Sequence, residues 1–353
     1  MILHIIAYEK FTEDYIKRIN KLFNVNDHRF LVFGEKNCSE IREVTANNVV
    51  YSINFSSKLG CALYLIKNIL KAKKVIIHAL FLSDMYMKVL ILLQPLCTGK
   101  YFWNIWGYDL YNVYWNRNDN LKREQLRKKF ISRLKAVGYI KGDYEFLKKH
   151  YDTNAKFYLA SYSYDFYTPE MEITGKDKNQ INILLGNSAT RECQYEEIID
   201  RLKEYSDLPI MVKCVLSYPT KNVEYREHII NYGKMTLGEK FEPLVDFMTY
   251  EEYTKLLSGI DIAVFNHNRQ QALGNIASLL YLGKRVYINP MNACKEYFED
   301  IGAQVYSVED LDKEDICKKD TQELKQINRK AIDDFFSDEQ FKERWRKIFE
   351  EKY

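Results

Sequence analysis

Short apolar runs alternate with longer stretches of helical period along the whole chain. Residues 2–7, 30–33, 49–53, 75–80, 101–105 and 136–140 are compact β-rich segments. The pieces between them, 12–23, 61–71, 83–93, 120–135 and 143–149, carry apolar side chains three and four apart. Strands that are apolar at successive positions are buried on both faces, so the pattern predicts a parallel sheet covered by helices on both sides. The alternation resumes near residue 180. It predicts strands at 181–185, 210–216, 232–237, 260–265, 286–288 and 304–306, and helices at 195–205, 222–231, 250–258, 274–282 and 292–301. Between the two series, Tyr162, Tyr164, Tyr167 and Pro169 mix with Gly175, Lys176, Asp177 and Lys178, the composition of a linker. The expected fold is α/β: two Rossmann-like domains, residues 1–165 and 180–333, with a cleft between them. A final helix over 334–353 carries Phe335, Phe336, Phe341, Trp345 and Phe349 and is expected across the domain interface, the alternative being a place on one domain alone.

Composition narrows the class. A chain of 353 residues exceeds the size of one ordinary core, and 46% hydrophobic content is ample for two. A net charge of +3 argues against a nucleic-acid binder driven by counterion release. Cys38, Cys61, Cys97, Cys193, Cys214, Cys294 and Cys317 form no C-x-x-C pair and read as reduced thiols. The apolar start runs straight into Glu9 and Lys10, which suits a first strand better than a signal peptide. Residues 75–96 are interrupted by His78, Asp84, Lys88 and Gln94, too many polar positions for a membrane span. A cytoplasmic protein is expected.

Candidate chemistry concentrates in three places. Residues 101–111 hold six aromatic rings, Gly107 and the one acid of the segment, Asp109. Trp103, Trp106 and Tyr111 offer flat apolar area for a sugar or base, Gly107 permits close backbone approach, and the bland alternative is ordinary core. Gly186, Asn187 and Ser188 end a strand, with Arg191 shortly after; strand ends and helix N-termini in an open α/β sheet hold phosphate. The third place, 266–275, follows another strand and contains Arg269, a guanidinium suited to forking onto a diphosphate, with Gln270, Gln271, Gly274 and Asn275. Neither G-x-G-x-x-G nor G-x-x-x-x-G-K-[ST] is present, which disfavours a dehydrogenase or a P-loop kinase.

With these motifs in view the sequence resembles glycosyltransferase family 56, the dTDP-N-acetylfucosamine:lipid II transferases of bacterial surface-polysaccharide assembly, including enterobacterial common antigen and O-antigen. Residues 105–111 match I-W-G-x-D-L-Y, residues 186–188 match G-N-S, and residues 269–271 match R-Q-Q with Gly274 three residues on. His78, the pair Tyr218-Pro219 and the pair Gly142-Asp143 also correspond, whereas Asn104 and Asn275 stand where a histidine and a threonine are expected. The resemblance implies a GT-B architecture with the donor on the C-terminal domain and a lipid-linked acceptor on the N-terminal one. It also implies a dTDP-sugar donor, a polyprenyl-diphosphate-linked glycan acceptor and attachment to the inner face of the cytoplasmic membrane. No metal or other cofactor is expected, because helix N-termini and cations can stabilise the leaving diphosphate.

On this reading Gly186, Asn187, Ser188, Arg191, Tyr218, Arg269, Gln270, Gln271, Gly274 and Asn275 bind the donor, and Asp109, then His78, are the candidates for orienting or deprotonating the acceptor hydroxyl. The stretch 117–135 carries Lys122, Arg123, Arg127, Lys128, Lys129 and Arg133 with interleaved apolar residues, a basic amphipathic helix suited to anionic lipid. Alternatives are a GT-B enzyme with another nucleotide-sugar or a nonlipid acceptor, and a sugar-binding module without catalysis.

Overall fold

The structure, a computed structural model, describes residues 1–9, 11–34, 44, 46–97, 99–162, 179–218, 222–318 and 321–353. Most of the expected linker, with Cys38 and Pro219, lies outside the described residues. The chain divides into two units, Met1–Tyr164 with Phe336–Tyr353, and Asp165–Phe335.

The first unit is built on seven parallel strands: β1 (Ile2–Ala7), β2 (His28–Phe33), β3 (Val49–Tyr51), β4 (Lys74–His78), β5 (Tyr101–Asn104), β6 (Ala136–Tyr139) and β7 (Lys156–Leu159), in the order β3-β2-β1-β4-β5-β6-β7. The second carries six: β8 (Ile181–Leu185), β9 (Ile210–Val215), β10 (Phe241–Leu244), β11 (Ile262–Phe265), β12 (Arg285–Ile288) and β13 (Tyr306–Ser307), in the order β10-β9-β8-β11-β12-β13. In each sheet the first strand lies centrally and the chain reverses its direction of travel there. Ile5 pairs with Leu31 on one side and Ile77 on the other, and Ile183 with Val212 and Ile262. Such a reversal leaves a crevice at the carboxyl ends of the two central strands, the usual ligand position in open α/β sheets.

One departure from the periodicity reading has a physical cause. Residues 232–237, expected as a strand, are the last turns of the helix Val223–Leu237: Gly233 lies flat on the Phe241 ring, where a Cβ would come within 2.4 Å, and Gly238 ends the helix at φ 58°. The strand of this region is β10, which contains Pro243 and so reads poorly as a strand; at the sheet edge the missing N–H costs little. Residues 108–111, within the aromatic segment, open the helix Tyr108–Trp115.

The C-terminal helix Asp338–Glu350 belongs to the first unit. Crossovers are right-handed, so the helices after β3, β4, β5 and β6, which all step the same way along the sheet, cover one face. The helix Thr12–Leu22 steps the other way and covers part of the second face. Asp338–Glu350 completes that face. Asp338 pairs with Arg18 at 2.9 Å and Lys21 at 2.7 Å, and the fully buried Trp345 packs on Tyr15, His78 and Phe102 while donating its indole N–H to the Ser161 carbonyl at 2.9 Å.

Candidate active site

In the second unit, the two loops singled out by composition meet at the sheet's reversal point. The chain leaves β8 through Gly186 at φ 64°, where a Cβ would stand 2.4 Å from the Tyr195 hydroxyl, so no other residue fits without displacement. Tyr195 opens the helix Tyr195–Lys203 and is buried; its hydroxyl lies 2.7 Å from the Ser188 carbonyl and 2.9 Å from that of Val215, which fixes the loop, and burial pushes its pKa well above the ordinary value. The loop after β11 is tied to this one by Gln271, whose amide donates to Asn187 Oδ1 at 2.8 Å and to Ser188 Oγ at 2.6 Å.

Beyond Gln271, Ala272 takes a left-handed conformation at φ 63° and the helix Leu273–Tyr281 begins without a side-chain cap. Its first turn, containing Gly274 and Asn275, therefore presents backbone N–H groups and the positive end of the helix dipole at the crevice. Arg191 is exposed on the same side, its guanidinium 5.0 Å from the Tyr225 ring centroid, and with Gln194, Glu196, Glu197 and Tyr225 it lines a cavity of about 270 Å³. Tyr218 is exposed, and its carbonyl accepts from the Ala189 N–H at 2.5 Å. Arg269 differs from Arg191 in exposure. It is buried, with one Nη donating to the Gln270 carbonyl at 2.9 Å, so its guanidinium braces the loop from within.

Sequence reasoning missed Tyr195, which carries no motif, and the pair Cys193 and His267. Burial would raise the Cys193 thiol, but the His267 ring and the hydroxyls of Thr190 and Ser188 bring it down to about 6. The thiol donates to the Ser188 carbonyl at 3.2 Å. Nothing in the local pattern marks the pair, because β11 brings His267 from far along the chain.

In the first unit, Gly107 at φ 82° turns the chain into the helix Tyr108–Trp115, and Asp109 in its first turn points back under the strand ends. The Asp109 carboxylate accepts from the Leu80 N–H at 2.9 Å and the Trp103 indole N–H at 2.8 Å through Oδ2, and from the Trp106 N–H at 2.8 Å through Oδ1. Burial raises its pKa, while Arg127 and these three donors oppose the rise. A carboxylate that is 0% exposed and bound on both oxygens has no room for an acceptor hydroxyl. Asp109 thus buckles together the loops after β4 and β5. Trp103 and Tyr111, expected to line a binding surface, are core residues, with the Tyr111 hydroxyl on Asp143 Oδ1 at 2.9 Å. Trp106 is half-buried.

His78, the second base candidate, is also fully buried. It belongs to a chain of rings: His28 Nδ1 lies 3.0 Å from His4 Nε2, His4 Nδ1 lies 3.2 Å from His78 Nε2, and His78 Nδ1 meets the Tyr162 hydroxyl. Asn104 Nδ2 at 2.7 Å and Trp106 Nε1 at 2.5 Å converge on the same hydroxyl. Burial holds His4 and His78 well below the ordinary histidine range and brings His28 down to about 4, so all three are neutral at pH 7.

The basic helix spans Leu121–Ile131, and two of its expected lipid-facing cations turn inward. Arg127 is buried, donates to the Asp109 carbonyl at 2.6 Å and stands 3.5 Å from Glu124; Arg123 pairs with Asp84 at 2.9 Å and donates to the Leu82 carbonyl at 2.9 Å. Lys122, Lys128, Lys129 and Arg133 remain exposed. Among the described residues no helix is long and apolar enough to cross a membrane.

Solved structures share this architecture over essentially the whole chain. A glycosyltransferase from Rickettsia africae is 13% identical with a TM-score of 0.68, over 99% of this chain and 97% of that one. HepE from Anabaena, solved with UDP and glucose, is 10% identical with a TM-score of 0.66 over 99% of each. WaaG, a glycosyltransferase involved in lipopolysaccharide biosynthesis, is 12% identical with a TM-score of 0.59, over 99% of this chain and 100% of that one. These likenesses establish a GT-B fold. The sequence profile described as 4-alpha-L-fucosyltransferase glycosyl transferase group 56 matches residues 9–352, and the chain is a glycosyltransferase belonging to that family.

Proposed function

We propose that the protein transfers an amino-deoxy sugar of the N-acetylfucosamine type from a dTDP-sugar to a polyprenyl-diphosphate-linked glycan, at the inner face of the cytoplasmic membrane, in bacterial surface-polysaccharide synthesis. The observation that carries the donor half is the meeting of the 186–191 and 266–275 loops, joined by Gln271, at an uncapped helix N-terminus. That arrangement fits an anionic diphosphate. The backbone N–H groups of residues 273–275 hold the oxygens, exposed Arg191 supplies a cation, and together they stabilise charge on the departing nucleoside diphosphate without a metal.

Support for the acceptor half is chemical: exposed Lys122, Lys128, Lys129 and Arg133 suit an anionic lipid surface beside a lipid-borne substrate. Asp109 and His78 act as positioning residues, holding Trp106 and the loops after β4 and β5. Thermal shift with dTDP, UDP and GDP tests the donor, since a nucleotide that binds the native state alone raises Tm by mass action. Stabilisation by dTDP above the other two is expected; a larger rise with UDP or GDP replaces the donor. Mass measurement of polyprenyl-diphosphate glycans incubated with the matching sugar nucleotide tests the acceptor.

A further inference from the structure

The helices after β3, β4 and β5, Lys58–Lys71, Asp84–Leu93 and Leu121–Ile131, lie side by side on one face of the first unit's sheet. Neighbouring ends are linked by the Lys100 ammonium on the Leu70 carbonyl at 3.5 Å and by the Gln94 amide on the Phe130 carbonyl at 2.9 Å. The outer surface of this layer is unlike that of an ordinary soluble helix layer. Leu59, Leu63, Leu70, Leu92, Leu96 and Leu121 are 50 to 74% exposed on it, leaving Leu159 as the other strongly exposed leucine among the described residues. The charges between them are predominantly positive: Lys67, Lys71, Lys88, Lys122, Lys128 and Lys129 are exposed, while Glu124 is buried, Asp84 is paired with Arg123 and Asp119 is the exposed acid in the turn before Leu121.

We infer that this whole helical face, rather than the one basic helix, is a docking surface for an anionic lipid bilayer. Leucines standing out from the surface gain by entering the headgroup boundary, and each lysine near anionic lipid adds attraction while its apolar stem lies along the leucines. A second copy of the chain fits less well, because an isologous contact would set lysine rows against themselves. The inference extends the lipid-linked acceptor reading, since a face-on posture keeps the enzyme where such a substrate is confined. It also rests on side chains that the acceptor reading does not use.

The test is sedimentation of the whole protein with phosphatidylcholine vesicles, with and without phosphatidylglycerol and free of any glycan acceptor, so that binding is read independently of the acceptor's identity. Two variants are compared, L92E/L96E and K67E/K71E/K88E, each checked by melting temperature. The expected result is a preference of about tenfold or more for the anionic vesicles, lost by a similar factor in both variants, with transfer to a water-soluble short-chain acceptor unchanged. Equal binding to both vesicle types, or retention of binding by a folded variant, overturns the inference. So does light scattering that shows a dimer split by L92E/L96E. Should the leucine variant fail to fold, the lysine variant alone decides.

Discussion

Single residues at both sites act by holding backbone. Asp109 satisfies three donors, two of them main-chain N–H groups at the ends of different strands. In Asp109→Asn the amide NH2 must face at least one donor, and an unsatisfied buried group costs about 1–3 kcal/mol. Thermal unfolding should therefore shift downward and kcat should fall, with the dissociation constant for dTDP unchanged; a variant of wild-type stability would show that the buckle is not needed. Gly186→Ala should weaken dTDP binding as well as stability, because the added Cβ meets the Tyr195 ring and the left-handed φ is strained. Wild-type nucleotide affinity in that variant would argue against a role for the loop.

Titration of single residues gives a pH prediction. His4, His28 and His78 are held neutral by burial, with His28 at about 4, so the unfolded chain binds more protons than the folded one below its own histidine pKa of about 6.5. Stability should be complete above pH 6.5 and decline as pH falls through 6 toward 4; His28 alone accounts for about 3 kcal/mol across that window. Melting temperatures measured from pH 7.5 to 4.5 should follow this slope, less steeply in His28→Gln. A flat profile down to pH 5 would contradict it. These histidines sit at separate strand positions, so the sequence marked His78 as a lone strand-end residue and gave no sign of its companions.

At the level of elements, much of the fold was legible because buried parallel strands and crossover helices have strong, different periods. β1, β8 and their flanking helices could be read from pattern alone. What failed were weak-signal edge elements, β7 and β10, and the end of Val223–Leu237, where tertiary packing of Gly233 on Phe241 overrides a strand-like composition. Composition cannot tell a ring that lines a site from one that fills a core, and Trp103 and Tyr111 fill the core. The C-terminal helix yields an element-scale prediction. Because Trp345 completes the sparsely covered face of the first sheet, Trp345→Ala should cost about 3–5 kcal/mol, visible as a lower urea midpoint. A midpoint unchanged from wild type would show that the helix is not part of that core.

For the whole molecule, the candidate donor loops were more legible than the surroundings of the two candidate bases. Phosphate-binding loops advertise themselves through glycine, amide and cationic residues at strand ends, and the structure joins the two such loops through Gln271. The residue type of a general-base candidate carries no information about its burial, and Asp109 and His78 are both buried. Arg269, whose residue type suits a clamp, is likewise buried, with one Nη on the Gln270 carbonyl. Arg191→Ala should accordingly lower kcat/KM by about tenfold or more, the range for losing a charged contact to the leaving group. A smaller effect than that of Arg269→Ala would reverse the assignment.

Amide hydrogen exchange with and without dTDP tests most directly whether the second unit holds the donor at its sheet reversal. Protection is expected at residues 186–191 and in the first turn of Leu273–Tyr281. Protection confined to the first unit, with those amides unchanged, would contradict the account.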